Sequence, residues 1–243
     1  MKNKIIAIPA IDLIDGQCVR LTQGDYAQKA VYHSNPLEVA LAFEKWGFRR
    51  LHIVDLDGAK AGKPTNLAVL KTIAQQTNLV LDFGGGIKTA EDLETIFEAG
   101  ASMVSLGSLA VKNPDLVKKW IADFGAEKIW LAADVLEETI ALNAWQEKST
   151  VSVFDFIADY QQAGLTQFFC TDVSKDGLLQ GVSLALYQKL RNAFPTMHIT
   201  ASGGVATWAD IEALEQIGLE GVIVGKALYE QRIAADALAA QFG

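Results

Sequence analysis

The 243-residue chain states one pattern twice. Leu79-Val-Leu-Asp-Phe-Gly-Gly-Gly-Ile87 is an apolar run ending in glycines. It leads into a helix-forming segment from Thr89 to Gly100, a second apolar run Met103-Val-Ser-Leu and a closing Gly107-Ser108. His198-Ile-Thr-Ala-Ser-Gly-Gly-Val205 opens the same series, which passes through Thr207 to Gly218 and Gly221-Val-Ile-Val to Gly225-Lys226. Gly85 and Gly203, Gly100 and Gly218, and Gly107 and Gly225 are each 118 positions apart. Thr89, Asp92 and Val104 fall on Thr207, Asp210 and Val222 at the same offset. An offset kept through strand, loop, helix and strand marks an internal repeat, so the fold has to be built of two similar halves.

Alternation along the chain gives eight apolar runs of strand length: 5–11, 51–56, 79–83, 103–106, 129–133, 167–171, 198–201 and 221–224. Seven segments of helical periodicity lie between them. Asn35-Pro36, Thr65-Asn66 and Asn113-Pro114 are suited to open helices, since Asn caps the first free N–H groups and Pro tolerates the first turn. Near-continuous apolar strands alternating with helices predict a parallel sheet covered by helices. Eight such units in two equivalent halves predict a (βα)8 TIM barrel made of two half-barrels, as a single domain over residues 1–243. No G-x-G-x-x-G follows the first strand, which argues against a dinucleotide fold.

A net charge of −8 and a pI near 4.9 argue against nucleic acid or an anionic membrane as partner. Any bound phosphate has to be held by local donors against that field. No apolar run approaches the ~20 residues of a membrane span, and the apolar run after Met1-Lys-Asn-Lys is too short for a signal segment and suits a first strand. Cys18 and Cys170 lack a disulfide framework, which fits a reducing, cytoplasmic setting. Cys170, inside Gln167-Phe-Phe-Cys-Thr171, is expected to be core packing. His33, His52 and His198 have no metal-ligand spacing, and His52 and His198 are expected to be hydrogen-bonded structural residues in strands. Neither a metal nor a histidine catalyst is expected.

Each half offers two glycine-ended strand tips: Gly85-Gly86 with Gly107-Ser108, and Gly203-Gly204 with Gly225-Lys226. Glycine allows close approach to a ligand, and unpaired N–H groups at a helix start suit an anion. A tight turn without ligand is the competing explanation for any one pair. The doubled arrangement points to two phosphates, one per half, and so to a substrate phosphorylated at both ends. Further matches flank the strands: Gly47 with Gly164 before the second and sixth, and Asp55 with Asp172 and Asp12 with Asp134 towards strand ends. Asp12 and Asp134, expected just after the first and fifth strands, can serve as base and acid on a ligand between them. The alternative is that each caps a turn. Asp176 is a third candidate, with a plain Asp-Gly turn as its alternative, and Asp15-Gly16 is taken as such a turn. Arg20 can hold a ligand or Asp134, or be solvated. Trp145 can stack on a flat heterocycle or pack in the core. Lys226 can add charge to a phosphate site or lie free on the surface.

In order along the chain stand Ile8-Pro-Ala-Ile-Asp-Leu with Gly16, Val19-Arg-Leu and Gly24, then His52-Ile-Val-Asp-Leu-Asp-Gly-Ala59 and Gly84-Gly-Gly-Ile87. Thr171-Asp-Val-Ser-Lys-Asp-Gly177 and Ser202-Gly-Gly-Val205 follow. The set resembles the ProFAR isomerases of histidine biosynthesis over nearly the whole chain. The sister cyclase barrel typically opens with Cys-Leu-Asp and a Lys, whereas this chain has Ala10-Ile-Asp12 and Arg20. The resemblance implies an Amadori rearrangement of a substrate with a phosphoribosyl group at each end, with no cofactor; a monomer acting on this small-molecule substrate is expected. It implies Asp12 as base, Asp134 as conventional acid with Asp176 as the other possible proton donor, Thr171 as a hydrogen-bond partner of the opening sugar, and Gly177 among the phosphate-binding residues. Two departures stand out: Asp134-Val-Leu-Glu-Glu138 lacks the Arg that often follows the family's fifth-strand Asp, and Asp176-Gly-Leu178 replaces Asp-Gly-Thr. Dual-function relatives use extra arginine for the tryptophan-pathway substrate, so activity on the histidine intermediate alone is expected. Two rivals remain: a cyclase-type barrel fed ammonia by a glutaminase, and a non-catalytic phosphosugar-binding barrel.

Overall fold

The structure is a computed structural model that describes residues 4–22, 25–142, 145 and 147–243. Gly24 of the opening motif lies outside the described residues. The chain begins with β1 (Ile6–Ile14), β2 (Gln17–Thr22), β3 (Asp25–His33), α1 (Pro36–Trp46), β4 (Arg50–Asp55), α2 (Leu56–Ala61), α3 (Leu67–Gln76), β5 (Val80–Gly84), α4 (Ala90–Glu98) and β6 (Met103–Leu106). It continues through α5 (Ser108–Lys112), α6 (Pro114–Phe124), β7 (Ile129–Leu136), β8 (Thr139–Leu142), β9 (Glu147–Ser152), α7 (Val153–Gln162) and β10 (Gln167–Asp172). The remaining elements are α8 (Leu184–Ala193), β11 (His198–Ser202), α9 (Trp208–Ile217), β12 (Gly221–Val224), α10 (Lys226–Tyr229) and α11 (Ala235–Phe242). The strands β1, β4, β5, β6, β7, β10, β11 and β12 close into the expected (βα)8 barrel.

Two departures from the sequence reading concern length. Asp12 and Asp134 lie inside β1 and β7, not after them, because both strands run on into antiparallel hairpins, β1–β2–β3 and β7–β8–β9. The helices α2, α5 and α10 are too short to show a 3.6-residue period, and they add to the seven segments expected between strands, as does α11 after the last strand.

The chain divides into two compact units, Ala7–Ser105 with Ile223–Gly243, and Met1–Ile6 with Leu106–Val222. In the first, β1 pairs with β4 from Ala10↔His52 to Leu13↔Asp55, and β4 with β5 from Arg50↔Val80 to Val54↔Gly84. Ile14, Val19 and Leu21 form a small core under the β2–β3 hairpin, with Tyr26 and Leu56 packed against it. Asn35 caps α1, accepting from Leu37 N at 3.1 Å, and Gly47 ends the helix in the left-handed conformation with φ 111°. Asn66 precedes α3 but does not cap it with its side chain, which turns back to donate to Asp55 and Asp57. His52 is buried, with Nδ1 2.5 Å from Asp82 Oδ1. In the second unit β10 lies between β7 and β11, in register from Phe168↔Leu131 to Asp172↔Val135 on one side and from Gln167↔His198 to Thr171↔Ser202 on the other. Asn113 caps α6, accepting from Leu116 N. Cys170 is buried in β10 as expected, whereas His198 starts β11 with its side chain exposed.

The repeat persists in atomic detail. Asp92 accepts from Lys88 N and Thr89 N, each at 2.9 Å, and Asp210 accepts from Ala206 N at 3.0 Å and Thr207 N at 2.8 Å. The N-caps Gly107 (φ −111°, ψ −91°) and Gly225 (φ −106°, ψ −97°) share a backbone conformation. The hairpin turns also correspond: Asp15-Gly16 joins β1 to β2 with φ 53° and 70°, and Glu137-Glu138 joins β7 to β8 with φ 54° and 66°. Positive φ at both central residues is what a two-residue hairpin turn demands, and only the first copy meets it with a glycine.

Candidate active site

In the first unit, Asp12 pairs with Val54 on β4 and Val19 on β2. That double pairing fixes the backbone where a parallel strand becomes a hairpin. Arg20 returns along β2, and its Nη1 donates to Asp12 Oδ2 at 2.8 Å. The two side chains are only 13% and 15% exposed, which favours a short charge-assisted bond. Arg20 thus holds Asp12, where the sequence offered a ligand or Asp134. Burial, helped by the charge of Asp12, pushes the Cys18 thiol up to about 12, so it is a neutral packing group at physiological pH.

Gly85 and Gly86 have φ of 115° and 81°. A Cβ on Gly85 would lie 2.1 Å from Asp55 O, and one on Gly86 would lie 2.4 Å from Gly58 O. The close approach that glycine permits here is to the protein's own 55–58 turn. Asp55 organises that turn: its buried carboxylate accepts from Gly58 N, Thr65 N, Asn66 N and Asn66 Nδ2. Gly225 caps α10 with no side-chain cap bond, and Lys226 Nζ lies 3.6 Å from Glu230 Oε1.

In the second unit, Asp134 on β7 stands in register beside Thr171 on β10. Trp145, held at φ 71°, donates from Nε1 to Asp134 Oδ2 at 2.9 Å. Its indole therefore contacts a candidate catalytic carboxylate. Asp176 follows in the turn after β10, where Asp172 O accepts from Lys175 N at 3.0 Å and Asp176 N at 3.1 Å. A Cβ on Gly203 would sit 3.4 Å from Thr171 Cγ2 and 3.5 Å from Asp176 Cβ. Asp134, Trp145, Thr171, Asp176 and Gly203 are thereby brought together, and Gly177 continues the same turn with φ 70°. Gly204 packs as its counterpart Gly86 does, its Cβ position 2.4 Å from Gly181 O. Gly107 caps α5 and Ser108 begins it.

Turn capping, the competing role for strand-end aspartates, is what Asp55 and Asp172 do. Asp172 accepts from Ser174 N at 2.9 Å, Ser174 Oγ at 2.7 Å and the Ser183 hydroxyl. The sequence reading also passed over Tyr187, whose buried hydroxyl lies 3.0 Å from Cys170 O and 2.8 Å from Ser202 O and accepts from Ser202 N at 3.1 Å. It braces β10 and β11 beside Thr171. An aromatic on the apolar face of a helix gives no sign of such a bond. Among the described residues no group of three His, Cys, Asp or Glu side chains is placed to hold a metal ion. No helix among them is long and apolar enough to cross a membrane.

Fold and site together define a parallel α/β barrel of duplicated halves, each with a strand-borne aspartate fixed by a side-chain donor and with glycine-cornered turns. The chain belongs to the histidine biosynthesis protein family, whose model matches residues 6–234. A Parabacteroides distasonis protein is 53% identical over 226 residues, covering 93% of this chain and 95% of its own length. One from Phocaeicola vulgatus is 55% identical over the same shares. A third, from Cytophaga hutchinsonii, is 53% identical over 96% of this chain and 97% of its own. Each of the three is named 1-(5-phosphoribosyl)-5-((5-phosphoribosylamino)methylideneamino)imidazole-4-carboxamide isomerase.

Proposed function

We propose that this chain is the aldose–ketose isomerase of histidine biosynthesis, converting the aminoaldose ProFAR to the aminoketose PRFAR by an Amadori rearrangement. The observation that carries it is the identity of 53–55% with relatives named for this isomerase, over 93% or more of the chain. A general acid, Asp134 or Asp176, protonates the ring oxygen, and the furanose opens to an imine with Thr171 bonded to the opening sugar. Asp12 takes the C2′ proton, and the resulting enolamine tautomerises to the ketose. Only protons move, so side chains suffice and no cofactor enters.

Arg20 supports the role of Asp12 because a charge-assisted bond fixes one carboxylate oxygen. The Trp145–Asp134 bond supports a place for the indole beside the reacting sugar and the flat imidazole ring. The phosphate donors in this reading are the backbone N–H groups of Gly85, Gly86, Gly107, Ser108, Gly177, Gly203, Gly204 and Gly225, with Lys226 adding charge. Incubation with the bis-phosphorylated aminoaldose and no ammonia source tests the reading: turnover supports it, a need for ammonia and a glutaminase indicates the cyclase, and binding without turnover indicates a binding barrel. Asp12→Asn is expected to lower kcat by orders of magnitude with little change in affinity, and near-normal kcat in that variant would place the base elsewhere.

A further inference from the structure

The repeat makes Gly225 a candidate anion cradle, but its surroundings give its missing side chain a different cause. With φ −106° it needs no left-handed conformation. What occupies the space of a side chain is Arg20: a Cβ on Gly225 would lie 2.7 Å from Nη2, 2.8 Å from Cζ and 3.0 Å from Nη1. All three nearest atoms belong to the guanidinium, so that flat group lies across the Cα of Gly225. Nη1 is also the atom that donates to Asp12 Oδ2 at 2.8 Å. The repeat-related Gly107 has the same backbone conformation, yet a Cβ there would meet nothing closer than Ala132 at 3.5 Å. The two copies of the motif have therefore diverged: one has ordinary contacts with room for a Cβ, and the other holds a cation that reaches a strand-borne aspartate.

We infer that Gly225 is a positioning residue for the proposed base, acting through Arg20. By lacking a side chain it seats the guanidinium where one nitrogen meets Asp12. The seat restrains a long, rotamer-rich side chain in the one position from which it meets Asp12. With Oδ2 engaged by Arg20, Oδ1 is the oxygen available to take the substrate's proton. The inference rests on Asp12 being the base.

Gly225→Ala is a mild test, because the obstructing atoms are the tip of a flexible side chain that a methyl group can push aside while the fold stays intact. The expected result is roughly a ten- to hundredfold fall in kcat with KM changed less than about threefold and an unfolding midpoint near that of the parent. In an Arg20→Met background, Gly225→Ala is expected to lower kcat by less than about twofold further. A rise in KM with unchanged kcat would make Gly225 a phosphate contact only and overturn the inference. So would an equal kcat loss in both backgrounds. A crystal structure of Gly225→Ala supplies a readout independent of turnover: loss of the Arg20–Asp12 bond supports the seat, and its retention refutes it. Failure of the underlying reading looks different, as absent turnover in the parent or near-normal kcat in Asp12→Asn.

Discussion

Asp55 offers a stability prediction that can be worked from the structure. Its side chain is wholly buried at the end of β4 and accepts from Gly58 N at 2.8 Å, Thr65 N at 2.6 Å, Asn66 N at 2.9 Å and Asn66 Nδ2 at 2.6 Å. In Asp55→Ala the exposed Thr65 regains water, and the Asn66 amide keeps Asp57 Oδ2 at 3.0 Å. The backbone N–H groups of buried Gly58 and Asn66 are left without an acceptor. Each such orphan costs about 1–3 kcal/mol, so the gross loss is about 4 kcal/mol. Relief from burying a carboxylate offsets part of it, leaving about 3 kcal/mol net. For a chain of this length that lowers the unfolding midpoint by roughly 6–12 °C. Asp55→Asn is expected to fall close to Ala, since its amide would turn one donor towards others. Thermal and urea unfolding followed by circular dichroism measure both variants, and a loss below about 1 kcal/mol would show that the 56–66 segment closes without its carboxylate.

Other outcomes follow from the same structure. Glu138→Gly is expected to stabilise by about 0.5–1 kcal/mol, because Glu138 sits at φ 66° in a turn whose first copy has Gly16 there; an unchanged or lower unfolding midpoint would refute this. Gly85→Ala is expected to cost at least about 3 kcal/mol, since its Cβ would meet backbone at 2.1 Å. Gly164→Ala, at φ 90° with open space around it, should cost only about 1 kcal/mol, and equal losses would contradict the steric argument. The Cys18 thiol is raised from 9.0 to about 12 by burial and by Asp12, so its contribution to stability is complete below pH 9 and is lost as pH climbs towards 12. Each pH unit in that window costs about 1.4 kcal/mol, and Cys18→Ala should flatten this limb in unfolding experiments between pH 8 and 11.

Much of this molecule was legible because its determinants are local. The apolar runs gave all eight barrel strands, since a strand covered on both faces has no polar alternation to hide it. Asn35 and Asn113 were legible as caps because the bond spans two or three residues. The two hairpins were not, because their strands pair antiparallel with the far ends of β1 and β7 and the first buries only a small cluster around Ile14, Val19 and Leu21. Asn66 failed as a side-chain cap because Asp55, eleven residues back, competes successfully for its amide.

The four aspartates Asp12, Asp55, Asp134 and Asp172 mark the boundary between the two kinds of information. The sequence by itself determined that each lies in or directly after an apolar run, that they fall into repeat-related pairs, and that the family is one of histidine biosynthesis. Only tertiary structure decided that Asp55 and Asp172 are spent on the N–H and hydroxyl groups of their own turns, while Asp12 meets a guanidinium and Asp134 an indole. Repeat and periodicity are carried by neighbours along the chain. The partner of a side chain is set by what folding brings beside it, as when Arg20 finds room only because Gly225, far along the chain, has no side chain to fill the space.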